Sequence, residues 1–169
     1  GSPPTVNPRA VVLISADAEW QAVQEALPPG SMHPAGTGEW FRTLMGEEPV
    51  LFFHGGWGKV AASASAQQVI DQFHPEILVN LGTCGGLEGR IERGTILLVT
   101  RTIIYDIIEQ MSDPQEVIAY YSSVLDYRWL PPEKKWLPAE ADFVVKRGLL
   151  VSADRDILPS DIPMMIERF

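Results

Sequence analysis

Two glycine-rich segments and one carboxylate have the residue types and spacing for ligand chemistry. Each glycine-rich segment, residues 55–58 and residues 82–86, follows a short apolar run of strand length. Glu19 comes after a third apolar run, Ala10–Ile14, and lies in the first turn of a predicted helix. Such runs are typical of strands buried on both faces of a parallel sheet, where ligands bind at the carboxyl ends of the strands. Residues 152–154 follow a further predicted strand and belong to the same group of strand exits.

The first glycine-rich segment matches the relaxed dinucleotide-binding pattern. Residues 56–61 read G-x-G-x-x-A after a strand and at a predicted helix start, where backbone amides can approach a pyrophosphate. The pattern follows about the fourth strand instead of the first. The next strand ends in Asn80 and Leu81, without the acidic residue that would hold a ribose. A nicotinamide-dependent oxidoreductase is therefore only an alternative, and a titration that shows no binding of NADH would exclude it. No cofactor is predicted.

The second glycine-rich segment offers backbone groups and one hydroxyl. Backbone N–H and C=O groups at Cys84 and Gly85 could bind a flat heterocycle, and the Thr83 hydroxyl could hold a sugar or an anion. A tight strand exit that needs glycine explains the same pattern equally well. Cys84 itself is expected to be a small buried apolar residue and not a nucleophile. Glu19 is either a general base or a carboxylate favoured by the helix dipole.

The composition excludes several classes of protein. The 169 residues carry a formal net charge of −9, which argues against nucleic-acid binding. One cysteine cannot form an internal disulfide, and the three histidines lack metal-ligand spacing, so no metal site is predicted. No apolar run is long enough to cross a membrane, and the N-terminus lacks the features of a secretory signal. Gly1 and Ser2 resemble the remnant of a removed tag, and we expect a cytoplasmic protein.

The order of elements predicts the fold. Apolar strands alternate with helices, including an alanine-rich helix over residues 59–73 whose residues Val60 and Ile70 share one face. This pattern is typical of an α/β fold with a mixed, mostly parallel central sheet flanked by helices. Residues 1–9 should be flexible and residues 10–169 should form a single domain. Residues 110–142, rich in proline and aromatic residues, should form a packed insertion.

Three segments resemble, in order and spacing, the superfamily of purine nucleoside phosphorylases and 5′-methylthioadenosine/S-adenosylhomocysteine nucleosidases. Residues 56–62 are similar to G-I-G-K-V-x-A, residues 75–87 to P-x-x-x-I-N-x-G-x-A-G-G-L, and residues 94–99 to G-D-I-V-I. Weaker similarity covers residues 14–23, and residues 147–154 are similar to R-G-x-I-x-S-G-D. The resemblance implies a three-layer phosphorylase/hydrolase-like fold.

The resemblance also implies cleavage of the N-glycosidic bond of a purine nucleoside by a homodimer. Nucleosidases of the superfamily use water activated by a glutamate, whereas phosphorylases use a bound phosphate held by arginine. Asn80 stands where the phosphorylases that resemble this chain carry an arginine, and Lys59 is also nucleosidase-like. Hydrolysis of purine (thio)nucleosides is therefore expected. The alternatives are a phosphate-dependent phosphorylase, with phosphate as a second ligand, and a nucleoside-binding paralogue without catalysis.

The site residues implied by the resemblance begin with Glu19, which matches the water-activating glutamate. A strict ungapped alignment places Trp20 there instead, but the apolar helical phase through Trp20 fits better with Glu19 in the catalytic position. Thr83 matches a residue near ribose, water or phosphate. The backbone of Cys84 and Gly85 matches segments that flank the base.

The remaining implied contacts are with the sugar and the base. Trp57, followed by Gly58, matches an apolar residue near the sugar. Asp154 belongs to the motif of residues 152–156, where Asp156 stands in the place of an aromatic residue that usually stacks on the purine. A carboxylate there could suit a different base.

Two superfamily motifs are not found in the sequence. These are M-E-x, which clamps the ribose, and R-x-x-S-D, whose aspartate protonates the purine. We therefore expect that the chain lacks the C-terminal elements of the fold. The full-length protein should be the enzyme, and the 169 residues alone should be inactive.

Overall fold

The computed structural model describes residues 7–128 and 143–169. The chain divides into two compact units, Gly1–Cys84 and Gly85–Phe169. The prediction of a single domain over residues 10–169 stays a prediction. Residues 129–142 of the predicted insertion and most of the predicted flexible N-terminus lie outside the described residues.

The first unit contains a five-stranded sheet with strand order β2-β3-β4-β1-β5. Strand β1 lies parallel to both β4 and β5, whereas β2, β3 and β4 pair antiparallel. The elements of this unit are β1 (Ala10–Ile14), α1 (Asp17–Ala26), β2 (His33–Ala35), β3 (Gly38–Met45), β4 (Glu48–His54), α2 (Gly58–Phe73) and β5 (Ile77–Asn80).

Both faces of β1 are covered, as its continuous apolar run predicts. Val12 and Ile14 pack in one cluster with Trp20 of α1. Val11 packs in a second cluster with Val69 of α2. Because neighbouring strand residues point to opposite faces, this alternation places α1 and α2 on opposite faces of the sheet. The result is a helix–sheet–helix arrangement.

Strand β5 differs from this expectation. It forms an edge of the five-stranded sheet, and its Leu78 and Val79 are exposed to 40% and 36%. The interpretation of this run as a strand buried on both faces is therefore wrong for the first unit. Helix α2 buries Ser65, Val69 and Phe73 and exposes Val60 and Ile70.

The second unit contains a three-stranded sheet with strand order β7-β6-β8. Strand β6 pairs parallel to β8, with a register shift between Val99 and Arg101, and antiparallel to β7. Part of the predicted insertion forms α3 and β7. The elements are β6 (Ile96–Ile104), α3 (Pro114–Tyr120), β7 (Ser122–Val124), β8 (Val145–Ser152), a 3₁₀ helix (Pro159–Asp161) and α4 (Ile162–Arg168).

The predicted α/β class, with mixed sheets and flanking helices, is confirmed. The parallel pairing of the larger sheet involves its last three strands, β4, β1 and β5, with β1 hydrogen-bonded to two parallel neighbours. This arrangement brings the carboxyl ends of three strands to one edge. Within residues 7–128 and 143–169, no helix is both long enough and apolar enough to span a membrane.

Candidate functional site

The carboxyl ends of β4, β1 and β5 form a continuous edge of the first unit. The Gly55 N–H donates to the carbonyl oxygen of Ile14 over 3.1 Å, and the Leu81 N–H donates to that of Leu13 over 3.0 Å. These hydrogen bonds continue the parallel ladders by one residue past each strand. The exits of the three strands are therefore held side by side, as the ligand-binding edge of a parallel sheet requires.

Glu19 joins two of these exits. It lies in the first turn of α1, and its Oε1 accepts a 3.0 Å hydrogen bond from the backbone N–H of Ala16. Its Oε2 accepts from both the backbone N–H and the hydroxyl of Thr83, the latter over 2.9 Å. The structure thus brings together the two residues that the sequence suggests for water activation and for holding water or ribose.

Gly82 provides the space for this contact. A Cβ atom at Gly82 would lie 2.8 Å from Oε2 of Glu19, closer than such atoms can approach without movement. The glycine at this exit is therefore needed for the approach of a carboxylate.

Trp20, the alternative for the catalytic position, lies in the core. Its side chain is only 3% exposed and packs against Phe41, with ring centroids 5.4 Å apart. The helical phase that places Trp20 inside therefore directs Glu19 towards the strand exits. This geometry agrees with the choice of Glu19, whose catalytic role stays a proposal.

The exit of β4 places Trp57 and Gly58 at the start of α2. Trp57 is the residue that precedes the helix, and its side chain is 75% exposed. Gly56 and Gly58 both have positive φ, 84° and 90°, which favours glycine at these positions. The hydroxyl of buried Ser65 lies 3.1 Å from the carbonyl oxygen of Gly55 and anchors the loop to α2.

Cys84 corrects one expectation. Its side chain is exposed and not buried, because the chain leaves the sheet after β5 without a covering element in this unit. The cysteine therefore does not act as a small apolar core residue. Its neighbour Gly85 begins the second unit, where a Cβ atom would meet nothing within 4 Å.

Asp154 and Asp156 lie in the second unit, in an exposed segment that follows β8. The Asp154 N–H donates a 2.9 Å hydrogen bond to Oδ2 of Asp106, and the Tyr105 N–H donates to the carbonyl oxygen of Ser152. The end of β8 is thus attached to the end of β6.

Arg155 holds the same segment against the 3₁₀ helix. Its guanidinium donates hydrogen bonds to both carboxylate oxygens of Asp161, over 3.1 and 3.3 Å. These bonds, followed by one from the Leu158 N–H, lower the pKa of the Asp161 carboxyl below its usual value. The guanidinium also lies 5.5 Å from the centre of the Tyr105 ring.

His54 and Ser65 are two polar residues near the strand exits to which no sequence motif assigns a role. His54 is the last residue of β4, and its Nε2 lies 3.2 Å from the carbonyl oxygen of Ser15 and 3.2 Å from Oδ1 of Asp17. The signal available for His54 is a polar residue that directly follows four apolar residues of a strand. Ser65 gives no such signal, since only the packing of α2 shows that it faces Gly55.

Metal-ligating side chains do not cluster in the part of the chain that the structure describes. Among residues 7–128 and 143–169, no three His, Cys, Asp or Glu side chains are arranged to hold a metal ion. The chemistry available at the strand exits is that of a carboxylate, a hydroxyl and backbone amides.

Known proteins with related sequences are nucleosidases. The chain is 31% identical over 133 residues to the 5′-methylthioadenosine/S-adenosylhomocysteine nucleosidase of Maridesulfovibrio salexigens, covering 75% of this chain and 56% of the relative. It is 25% identical over 122 residues to the nucleosidase of the same name from Staphylococcus aureus, covering 69% and 52%. The chain thus spans about half the length of these curated relatives.

Solved structures show the same fold. The Helicobacter pylori 5′-methylthioadenosine/S-adenosylhomocysteine nucleosidase with butyl-thio-DADMe-Immucillin-A matches with a TM-score of 0.79 at 15% identity, covering 96% of this chain and 72% of that one. A futalosine hydrolase mutant of H. pylori matches with a TM-score of 0.78 at 15% identity, covering 96% and 76%. At such identities the likeness concerns the fold alone.

The sequence profile of the phosphorylase superfamily matches residues 9–155. This range includes Glu19, the three strand exits of the first unit, and the segment that contains Asp154. It covers most of the 169 residues, and the order of its elements agrees with the fold described above. The chain therefore belongs to the phosphorylase superfamily.

Proposed function

We propose that this protein hydrolyses the N-glycosidic bond of purine (thio)nucleosides of the methylthioadenosine and S-adenosylhomocysteine class. The observation that carries the proposal is the carboxylate of Glu19 at the carboxyl ends of β1 and β5, in contact with Thr83. The names of the related nucleosidases support the substrate class.

In the proposed mechanism Glu19 acts as the general base. Its carboxylate takes one proton from a water molecule, and the resulting hydroxide attacks C1′ of the ribosyl group as the bond to the purine breaks. The electron pair of that bond leaves with the purine, which takes up a proton from solvent, and Glu19 returns its proton to solvent, so one water molecule is consumed for each bond broken. The donors from Ala16 and Thr83 fix the orientation of the carboxylate, which keeps its reactive lone pairs in one place.

The other binding roles rest on the resemblance. Thr83 holds the water or the ribose, and the backbone of Cys84 and Gly85 flanks the base. Trp57 and Gly58 lie near the sugar in this proposal. Asp154 and Asp156 are proposed to contact the base.

Hydrolysis is favoured over phosphorolysis by the residue at the end of β5. Asn80 occupies that position, paired with Leu13 of β1, where a phosphorylase would need a cationic donor for phosphate. An amide side chain offers no positive charge. Water is therefore the proposed nucleophile.

The first test is the phosphate dependence of turnover. We expect the product of the complete reading frame to release adenine from methylthioadenosine in phosphate-free buffer, at a rate that added phosphate does not raise. Chromatography with mass detection should identify the free sugar. A requirement for phosphate, with a sugar phosphate as product, would assign the protein to the phosphorylases. Saturable nucleoside binding without turnover would instead indicate a non-catalytic paralogue.

We also propose that the protein is a homodimer. Exposed apolar side chains on α2 support this, since Val60 and Ile70 are exposed to 83% and 43% and exposed apolar surface often forms interfaces. Light scattering should give twice the mass of one chain, and Val60→Asp should shift that mass towards the monomer. A wild-type mass equal to one chain would contradict the proposal.

The cytoplasm is the proposed location of the protein. The exposed thiol of Cys84 is compatible with that reducing compartment.

A further inference from the structure

We infer that His54 is a positioning residue that orients Glu19 through a single peptide group. The inference deepens the proposed function and rests on it, because it assigns to His54 the task of aiming the proposed general base. His54 ends β4 directly beside Ile14, the last residue of β1. Its side chain is 17% exposed, so its position is largely set by the groups that contact it.

The contacts of His54 require a hydrogen on Nε2 of its ring. Nε2 lies 3.2 Å from the carbonyl oxygen of Ser15 and 3.2 Å from Oδ1 of Asp17. Both partners are acceptors, so Nε2 must carry a hydrogen to bind either of them. A neutral imidazole with its hydrogen on Nε2 satisfies this requirement, and a charged imidazolium would do so as well.

The ring is supported by residues from two other elements. Trp20 of α1 stacks on it, with ring centroids 5.2 Å apart and planes inclined by 18°. The indole Nε1 of Trp20 donates a 2.7 Å hydrogen bond to Oε1 of Glu39, which is the residue opposite His54 in the β3–β4 ladder. Acidic groups on these two elements include Asp17 and Glu19 of α1 and Glu39 of β3, and Asp17 contacts His54 directly.

One peptide group connects the side chain of His54 to that of Glu19. Ser15 and Ala16 are the two residues between β1 and α1, and the Ser15 carbonyl and the Ala16 N–H belong to the same peptide plane. The carbonyl oxygen of this peptide faces Nε2 of His54, while its N–H donates to Oε1 of Glu19 over 3.0 Å. Because the peptide is planar and trans, the orientation of its carbonyl determines the direction of its N–H.

Polarisation of the peptide between Ser15 and Ala16 strengthens its hydrogen bond to Glu19. A donor on the carbonyl oxygen polarises a peptide and makes its N–H a stronger donor, since linked hydrogen bonds reinforce one another. The His54–peptide–Glu19 series is such a chain. Loss of the His54 donor would therefore weaken the Ala16–Glu19 bond and release the peptide to rotate.

Two substitutions at His54 test this. His54→Phe keeps a flat ring for Trp20 and removes the donor, whereas His54→Gln retains an N–H donor on a chain of similar reach. For His54→Phe we expect kcat for methylthioadenosine to fall by about 10- to 100-fold with little change in KM, because a misplacement of about 1 Å can cost about 100-fold. His54→Gln should restore most of that loss.

A second measurement does not depend on activity. Amide hydrogen exchange at Ala16, compared with the amides of β1, should be faster in His54→Phe and should slow again in His54→Gln. Val69→Ala is the matched control for instability, because Val69 is fully buried on α2 in the other core cluster. It should lower the melting temperature without changing kcat or the relative exchange of Ala16.

The outcomes separate the two proposals. If His54→Phe has the same kcat and the same amide exchange rate at Ala16 as the wild-type protein, the proposed role of His54 is wrong. Equal losses of kcat in His54→Phe and Val69→Ala would also contradict it, since these would indicate a merely structural effect. If the wild-type protein does not hydrolyse nucleosides, the proposed function fails, and the exchange of Ala16 alone decides whether His54 positions Glu19.

Discussion

Replacing Glu19 with Gln should lower kcat for methylthioadenosine hydrolysis by about 10²- to 10⁴-fold, the usual contribution of a general base. The amide has nearly the same shape but cannot take a proton from water at neutral pH. KM should change little, because the Thr83 hydroxyl and the surrounding backbone remain. The measurement is steady-state release of adenine by the product of the complete reading frame, beside calorimetric titration of nucleoside binding.

The control for this variant must account for hydrogen bonding. The single amide oxygen can accept from Ala16 or from Thr83, so one of these donors loses its acceptor, at a cost of about 1–3 kcal/mol. Melting temperature is therefore measured in parallel. Glu25→Gln, on an exposed part of the same helix, should leave both kcat and melting temperature unchanged.

A loss of less than about tenfold in kcat, with binding retained, would remove Glu19 from the role of base. Its bonds to Ala16 and Thr83 would then be a structural clamp between α1 and the exit of β5.

The second large effect concerns Gly38, at the start of β3. A Cβ atom there would overlap the carbonyl oxygen of His54 and lie 2.9 Å from its carbonyl carbon. These are backbone atoms, so no side-chain rotation can relieve the clash. We expect Gly38→Ala to lower the free energy of unfolding by about 3 kcal/mol, the upper part of the range for overpacked sites.

The matched control is Gly36→Ala, two residues earlier. A Cβ atom at Gly36 would meet nothing within 4 Å, so the change in the free energy of unfolding should stay within about 0.5 kcal/mol. Urea unfolding followed by circular dichroism compares both variants with wild type. Equal midpoints for Gly36→Ala and Gly38→Ala would show that β3 and β4 separate easily at this point.

Local patterns in the sequence predict the elements with strong periodicity. Strand β1 is predicted correctly because a five-residue apolar run suits burial on both faces, and α1 because Trp20 lies in phase with later apolar residues. Strand β2, His33–Ala35, has no such pattern. It contains a proline and exists through its pairing with β3, a contact that no local pattern specifies.

The contacts of the candidate site could likewise be predicted only where they follow from local sequence patterns. The proximity of Glu19 and Thr83 could be anticipated, although they are separated by 64 residues, because both follow parallel strands. The contacts of His54 depend on which face of β4 meets α1, and this follows only from the assembled core. Burial of Cys84 was predicted from residue type alone, and it fails because the exit of β5 is uncovered in its unit.

The gap that Gly82 leaves beside Glu19 has an evolutionary consequence. A carboxylate oxygen occupies the volume in which any other residue at position 82 would place its Cβ atom. Positions 19 and 82 are far apart along the chain, but the residue tolerated at one thus depends on the residue at the other. In a library randomised at both, variants that keep Glu19 in its observed place would have to keep glycine at position 82, and a side chain could enter position 82 only where the carboxylate had moved aside, been shortened or been lost.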